Sequence, residues 1–179
     1  MFTLQTRYLS FFFGLISILS FFNIIYSYYL NLYLNLDTYY GSFLISFFVS
    51  IIFYKIKTTQ KKLSIFDKIL TVFLGYLLLP LVLSIPFYFS IYNLTFLNSY
   101  FESISGFTST GFTIFENIKL IDQSLILWRS STQWIGGLYF LFSIIFLIDI
   151  YDENFKKTLT NYISFDSSEI FKQASKIFL

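Results

Sequence analysis

Four long stretches without a charged residue govern what this chain can fold into: Tyr8 to Leu36, Thr38 to Tyr54, Ile69 to Phe101 and Ser130 to Ile148. About 20 apolar residues in a helix cross the roughly 30 Å hydrocarbon layer of a bilayer. No water is present there to satisfy the backbone, so helices, whose hydrogen bonds close internally, are the natural spanning form. The runs therefore predict an all-α membrane protein with four transmembrane helices. Composition agrees, since 56% of the 179 residues are hydrophobic and only 12% are charged, about half the charge of a soluble domain. The lipid bilayer is thus the first partner, and no nucleic-acid partner is expected.

The first run begins almost at the N-terminus. At 29 uncharged residues it exceeds a signal peptide's apolar core, and no small-residue cleavage site follows, so it reads as a retained helix. Cysteine and histidine are both absent, which removes disulfides, thiolate nucleophiles, imidazole bases and the commonest transition-metal ligands together. No nucleophile and base pair can be assembled from what remains. The chain does not read as an enzyme, and no cofactor is expected. The Phe runs read as lipid-facing bulk, and Tyr26, Tyr28, Tyr29, Tyr39 and Tyr40 as anchors at headgroup level around the first outer loop.

Orientation follows from the basic residues, because short loops rich in Lys and Arg stay on the cytoplasmic side. Arg7 precedes the first helix, Lys55, Lys57, Lys61, Lys62 and Lys68 lie between the second and third, and Lys156, Lys157, Lys172 and Lys176 follow the last. Both termini are therefore expected in the cytoplasm of a multi-pass protein of the cytoplasmic (inner) membrane. Helix three is expected from about Phe66 to Phe89 and helix four from about Asp122 to Asp149. Pro80 and Pro86 fall in helix three, where each removes a backbone donor. They mark a kink, a helix end or a hinge.

Between helices three and four the stretch from Leu97 to Phe107 is apolar and helix-compatible but too short to span. It leads into SGFTSTGFTIF, Ser105 to Phe115, with two glycines, five hydroxyl side chains and no charge. A short apolar helix before a Gly-rich turn reads as a re-entrant pore helix and loop, or as a turn at the outer surface. Irregular backbone at membrane depth survives where protein buries it or where it lines a water-filled path. Thr108, Ser109, Thr110 and Gly111 offer successive carbonyls and hydroxyls, and rings of carbonyls can replace the hydration shell of a potassium ion. A helix C-terminus near Gly106 or Phe107 adds partial negative charge that favours cations. Arg129, inside helix four, would cost roughly 2.5–3.5 kcal/mol facing lipid. It therefore faces protein or water, with pore-helix carbonyls or Glu102 within reach, or else it snorkels to the outer interface.

FESISGFTSTGFTIFENI, Phe101 to Ile118, followed by SLILWRSSTQWIGG, Ser124 to Gly137, resembles the first pore repeat of the Trk/Ktr potassium-uptake family. That family's pore subunit carries four membrane–pore-loop–membrane repeats, often preceded by two extra helices. The resemblance implies an N-terminal helix pair over residues 1–62 and one repeat over 63–150. Residues 151–179 would form a cytoplasmic tail, with Ser168 to Leu179 resembling the beginning of a next repeat. It further implies that Thr108, Ser109, Thr110 and Gly111 coordinate transported potassium, with Glu102, Gly106, Phe112 and Arg129 in support. Gly136 and Gly137 would serve close helix packing, whereas Gln133 and Trp134 belong to the motif without an evident ligand.

The family usually has threonine at Ser109, and small residues where Leu138, Tyr139 and Phe140 follow the paired glycines; that bulk works against its close packing. One repeat supplies one of four filter loops. The others would come from a separately encoded chain or from self-association, with a cytoplasmic nucleotide-binding regulatory subunit as a further partner. A homotetrameric cation channel and a truncated, non-conducting remnant are the alternatives.

Overall fold

The computed structural model describes residues 5–56 and 65–148. The expected tail over 151–179 lies outside the described residues, as do Lys57, Lys61, Lys62, Lys156, Lys157, Lys172 and Lys176. Among the described residues the order is α1 (Thr6–Tyr29), α2 (Leu36–Lys55), α3 (Ile65–Leu83), α4 (Ile85–Tyr88), α5 (Phe96–Phe107) and α6 (Gln123–Ile148), with a 3-10 turn at Ile118–Leu120. Four segments are long and apolar enough to cross a membrane: Thr6–Tyr29, Leu36–Lys55, Phe66–Tyr88 and Gln123–Leu147. The all-helical chain with four membrane-capable helices is thus the one the uncharged runs predict. The chain divides into two compact units, Met1–Phe142 and Ser143–Leu179. Only residues 143–148 of the second are described, the last turns of α6, and everything below concerns the first.

Helices α1 and α2 form an antiparallel hairpin whose facing surfaces are lined with serine. Ser10 Oγ donates to the Ser50 carbonyl and Ser50 Oγ to the Ser10 carbonyl, each at 2.8 Å. Such small polar residues let backbones approach closely where lipid supplies no hydrophobic drive between helices. Bulk points the other way, with Phe22 59% and Phe48 58% exposed, as lipid-facing side chains must be. The hairpin turns at Asn31, whose φ of 57° is left-handed. Its amide and that of Leu32 close onto the Tyr28 and Ser27 carbonyls, which satisfies groups that a helix end leaves open.

The third span, Phe66–Tyr88, is two helices where the sequence predicts one. Pro80 sits inside α3 and Pro86 in the first turn of α4, and Ser84 separates the two. A proline takes away the amide that would serve the carbonyl four residues before it, so the break exposes backbone acceptors in an apolar surrounding. Neighbouring side chains also bond other carbonyls of this stretch. Trp128 Nε1 donates to the Leu83 carbonyl at 3.0 Å, Ser103 Oγ to Pro80 at 2.8 Å, and the Tyr100 hydroxyl to Leu77 at 3.1 Å. Lys68, counted among the basic residues between the second and third helices, lies near the start of α3 and is buried.

Two glycines set how closely α6 packs. A Cβ at Gly136 would overlap the Phe107 carbonyl, and one at Gly75 would overlap the Tyr139 ring. The bulky Tyr139 therefore does not loosen the packing at its level. It fills the hollow at Gly75, is fully buried, and its hydroxyl donates to the Val72 carbonyl at 2.9 Å. Its ring meets Phe12, Tyr76 and Phe107 with centroids 4.8, 5.0 and 5.3 Å away. Gly137 has open space around it, so of the paired glycines only Gly136 answers the packing expectation.

Candidate functional site

Helix α5 starts with Thr95, whose side chain accepts from the Asn98 amide, and it ends at Phe107. The chain then reverses through Ser109, at φ 56°. The Ser109 amide closes onto the Gly106 carbonyl at 2.9 Å and the Thr110 amide onto Ser105 at 3.1 Å, the same left-handed cap that ends α1. A non-glycine residue there costs about 1–2 kcal/mol. Gly111, at φ 79°, needs the freedom that only glycine has without that cost. The two left-handed residues fold Thr108 to Phe112 into a tight loop.

Local hydroxyls hold that loop to its helix. Thr108 Oγ1 donates to the Ile104 carbonyl at 2.8 Å, Thr110 Oγ1 to Ser105 at 3.2 Å, and Ser105 Oγ to the Phe112 carbonyl at 2.6 Å. Residues 108–112 are nonetheless exposed. Among the described residues, no donor reaches the Thr108, Ser109 or Thr110 carbonyl. These three acceptors stand free on a loop in an otherwise apolar chain.

Glu102 stands behind the loop and is completely buried. Its Oε1 accepts from Arg129 Nε at 2.6 Å, its Oε2 from the Ile114 amide at 3.0 Å, and both oxygens from Thr113 Oγ1 at 3.1 Å. Arg129, 14% exposed, reaches on with Nη2 to the Gly111 and Phe112 carbonyls, at 3.4 Å each. A buried carboxylate is tolerated when a cation and hydrogen bonds satisfy it, and Arg129 and the loop supply both. The guanidinium accordingly faces protein. One ion pair thus ties α5, the exit of the loop and α6 to each other.

The other predicted residues take distinct places. A Cβ at Gly106 would meet Thr132 Oγ1, so this glycine lets α5 approach α6. Phe112 joins the network through its carbonyl, while its ring is 69% exposed. Trp134 also faces outward, and Gln133 is half-buried. Sequence reasoning missed Thr113 and Ser105, whose hydroxyls lie within the same motif, and Trp128, one residue before Arg129, whose indole bonds the Leu83 carbonyl.

No family model matches the chain, and no solved structure matches it. Curated relatives do. An uncharacterized cation transporter of Methanocaldococcus jannaschii is 31% identical over 109 residues, 60% of this chain and 23% of that protein. The Trk system potassium uptake protein TrkI of Halomonas elongata is 43% identical over 60 residues, 34% of this chain and 11% of that protein. TrkG of Escherichia coli, a protein of the same description, is 29% identical over 86 residues, 48% of this chain and 18% of that protein. These matches span only 11% to 23% of the relatives' own lengths.

Proposed function

We propose that this chain, of the Trk/Ktr type over the part of those proteins that it matches, contributes one ion-coordinating loop to a potassium-transporting pore. The observation that carries this reading is the loop's two-sidedness. Glu102 and Arg129 fix it from behind, while the Thr108, Ser109 and Thr110 carbonyls are left without donors among the described residues. Dehydrating a potassium ion requires oxygens that replace its water shell, and carbonyls held from behind provide them without rearranging. Gly111 adds a fourth carbonyl, which Arg129 touches only at 3.4 Å and which keeps a lone pair open.

In this reading residues 63–150 form one membrane–loop–membrane repeat, α5 is a re-entrant pore helix, and residues 1–62 are an accessory pair. Arg7 and Lys55 mark the cytoplasmic ends of α1 and α2. One loop encloses only part of an ion, so further repeats come from another chain or from further copies of this one. The outward Trp134, Phe140 and Leu141 of α6, each about half exposed, give such neighbours an apolar face. A cytoplasmic nucleotide-binding subunit is the regulatory partner that fits.

The test is growth at limiting potassium of an uptake-deficient host carrying the chain, alone and with a chain supplying further repeats. Growth in either arm supports transport, and absence of growth in both refutes it. In the arm that grows, Gly111→Ser should keep the protein level but lower potassium-over-sodium selectivity. No atom crowds that position, so the left-handed backbone is what the substitution strains. Unchanged selectivity would remove Gly111 from the coordinating set.

A further inference from the structure

Helix α6 is fixed at three points along one stripe. Asp122, Arg129 and Gly136 are spaced seven residues apart, about two helical turns and about 10 Å each. Gly136 meets the Phe107 carbonyl and Arg129 meets Glu102. Asp122 begins the helix, its carbonyl accepting from the Leu125 and Ile126 amides at 3.0 Å. Its carboxylate accepts from Ser124 Oγ and, at 3.0 Å, from Asn35 Nδ2. Because Ser124 spends its single hydrogen on Asp122, the Tyr39 hydroxyl donates to Ser124 Oγ, at 2.9 Å. Asn23 Nδ2 reaches the Ser124 carbonyl at 3.3 Å. Asn35 is used on both sides, its Oδ1 accepting from the Ile91 amide at 3.1 Å.

Asn23, Asn35 and Tyr39 belong to the N-terminal helix pair or its turn and are buried. Each pairs with a residue 85 to 101 positions away. We infer that the N-terminal pair is a positioning element for the ion loop. Through Asn35 and Tyr39 it sets the height and rotation of the start of α6, and therefore where Arg129 presents its guanidinium to Glu102 and the Gly111 and Phe112 carbonyls. The inference rests on the pore reading for its functional meaning, while the mechanical coupling is measurable without it.

The experiment is hydrogen exchange on the purified full chain in lipid nanodiscs, first in potassium-free choline buffer. The reporter is segment 108–117, which contains the Ile114 amide that Glu102 holds. Tyr39→Phe and Asn35→Ala should each speed its exchange by roughly two- to tenfold, the factor carried by one buried hydrogen bond. Ser46→Ala, whose hydroxyl serves only carbonyls of its own helix, should leave it unchanged. Faster exchange at 120–126 with parental exchange at 108–117 would overturn the inference, because the cluster would then be broken without consequence for the loop. Should Asn35→Ala fail to fold, Tyr39→Phe, which removes one hydroxyl and keeps the ring, decides alone.

Potassium chloride is then titrated in. The half-protecting concentration for segment 108–117 should rise by a similar factor in Tyr39→Phe, with the same maximal protection. An unaltered midpoint would reduce the cluster to a purely structural role. If potassium protects not even the parent chain while the potassium-free coupling is present, the reading in which copies of this chain alone complete the pore fails and the mechanical coupling stands.

Discussion

Replacing Glu102 by glutamine keeps the shape of the side chain and removes its charge, which isolates what the ion pair does for the loop. Glutamine keeps one acceptor oxygen and turns the other position into a donor. The NH2 then confronts either the guanidinium of Arg129 or the Ile114 amide, where the carboxylate accepts at 2.6 and 3.0 Å. Arg129 is left largely buried without its counter-charge, and breaking a buried pair from one side costs about 3–5 kcal/mol. The strain falls first on residues 111–114, which the pair touches directly. At about 1.4 kcal/mol per factor of ten, the population of locally opened loop rises by about 10²- to 4 × 10³-fold.

The chain has no cysteine, so a single Ile114→Cys substitution, half-buried at the held amide, reports opening through its rate of thiol labelling in nanodiscs. In that background Glu102→Gln should label about 10²- to 4 × 10³-fold faster than its parent. Thr113→Val, which removes one hydroxyl bond to the carboxylate, should fall between the two. A Glu102→Gln rate within threefold of the parent would refute the idea that the ion pair holds the loop.

Two further outcomes follow from the glycines and the helix cap. Gly136→Ala should destabilise the folded protein by about 1–3 kcal/mol through overlap with the Phe107 carbonyl, whereas Gly137→Ala, with open space, should be neutral or raise stability by up to about 1 kcal/mol; equal effects on thermal unfolding in detergent would contradict the packing described. Ser109→Gly should raise the unfolding midpoint slightly, a net gain of about 0.5–1 kcal/mol, because relief of the left-handed backbone outweighs glycine's larger entropy loss. A lowered midpoint would show that the serine side chain matters more than its φ.

The spans and the ion pair were the legible parts of this molecule, and both for energetic reasons. Uncharged runs long enough for a bilayer leave little choice but helix, and a lone arginine in such a run demands a partner, which made Glu102 the nearest acceptor in the motif. The end of α5 at Phe107 was legible because residues from Thr108 onward favour turns. The break at Ser84 was not, since a proline in a membrane helix is compatible with a kink, an end or a hinge until the neighbours packed against it are known. Trp128 and Ser103 bond this stretch from 45 and 23 residues away. Tyr139 misled for the same reason, because its bulk is accommodated by Gly75, 64 positions earlier in the chain. The Asn35 and Asp122 pairing spans 87 residues, and nothing in local periodicity encodes it.

Gly136 has a mechanical meaning of its own. Where side chains interdigitate, a rotamer change lets two helices slide or breathe; where a glycine backbone lies against a carbonyl group, there is no rotamer to change. The foot of the 108–112 loop thus rests on a hard stop, and α6 cannot come closer to Phe107 than atomic radii allow. Rearrangement of the loop relative to α6 is thereby confined to rocking about that fulcrum, with the Arg129 and Glu102 pair, two turns away along the same stripe, as the lever arm that resists it.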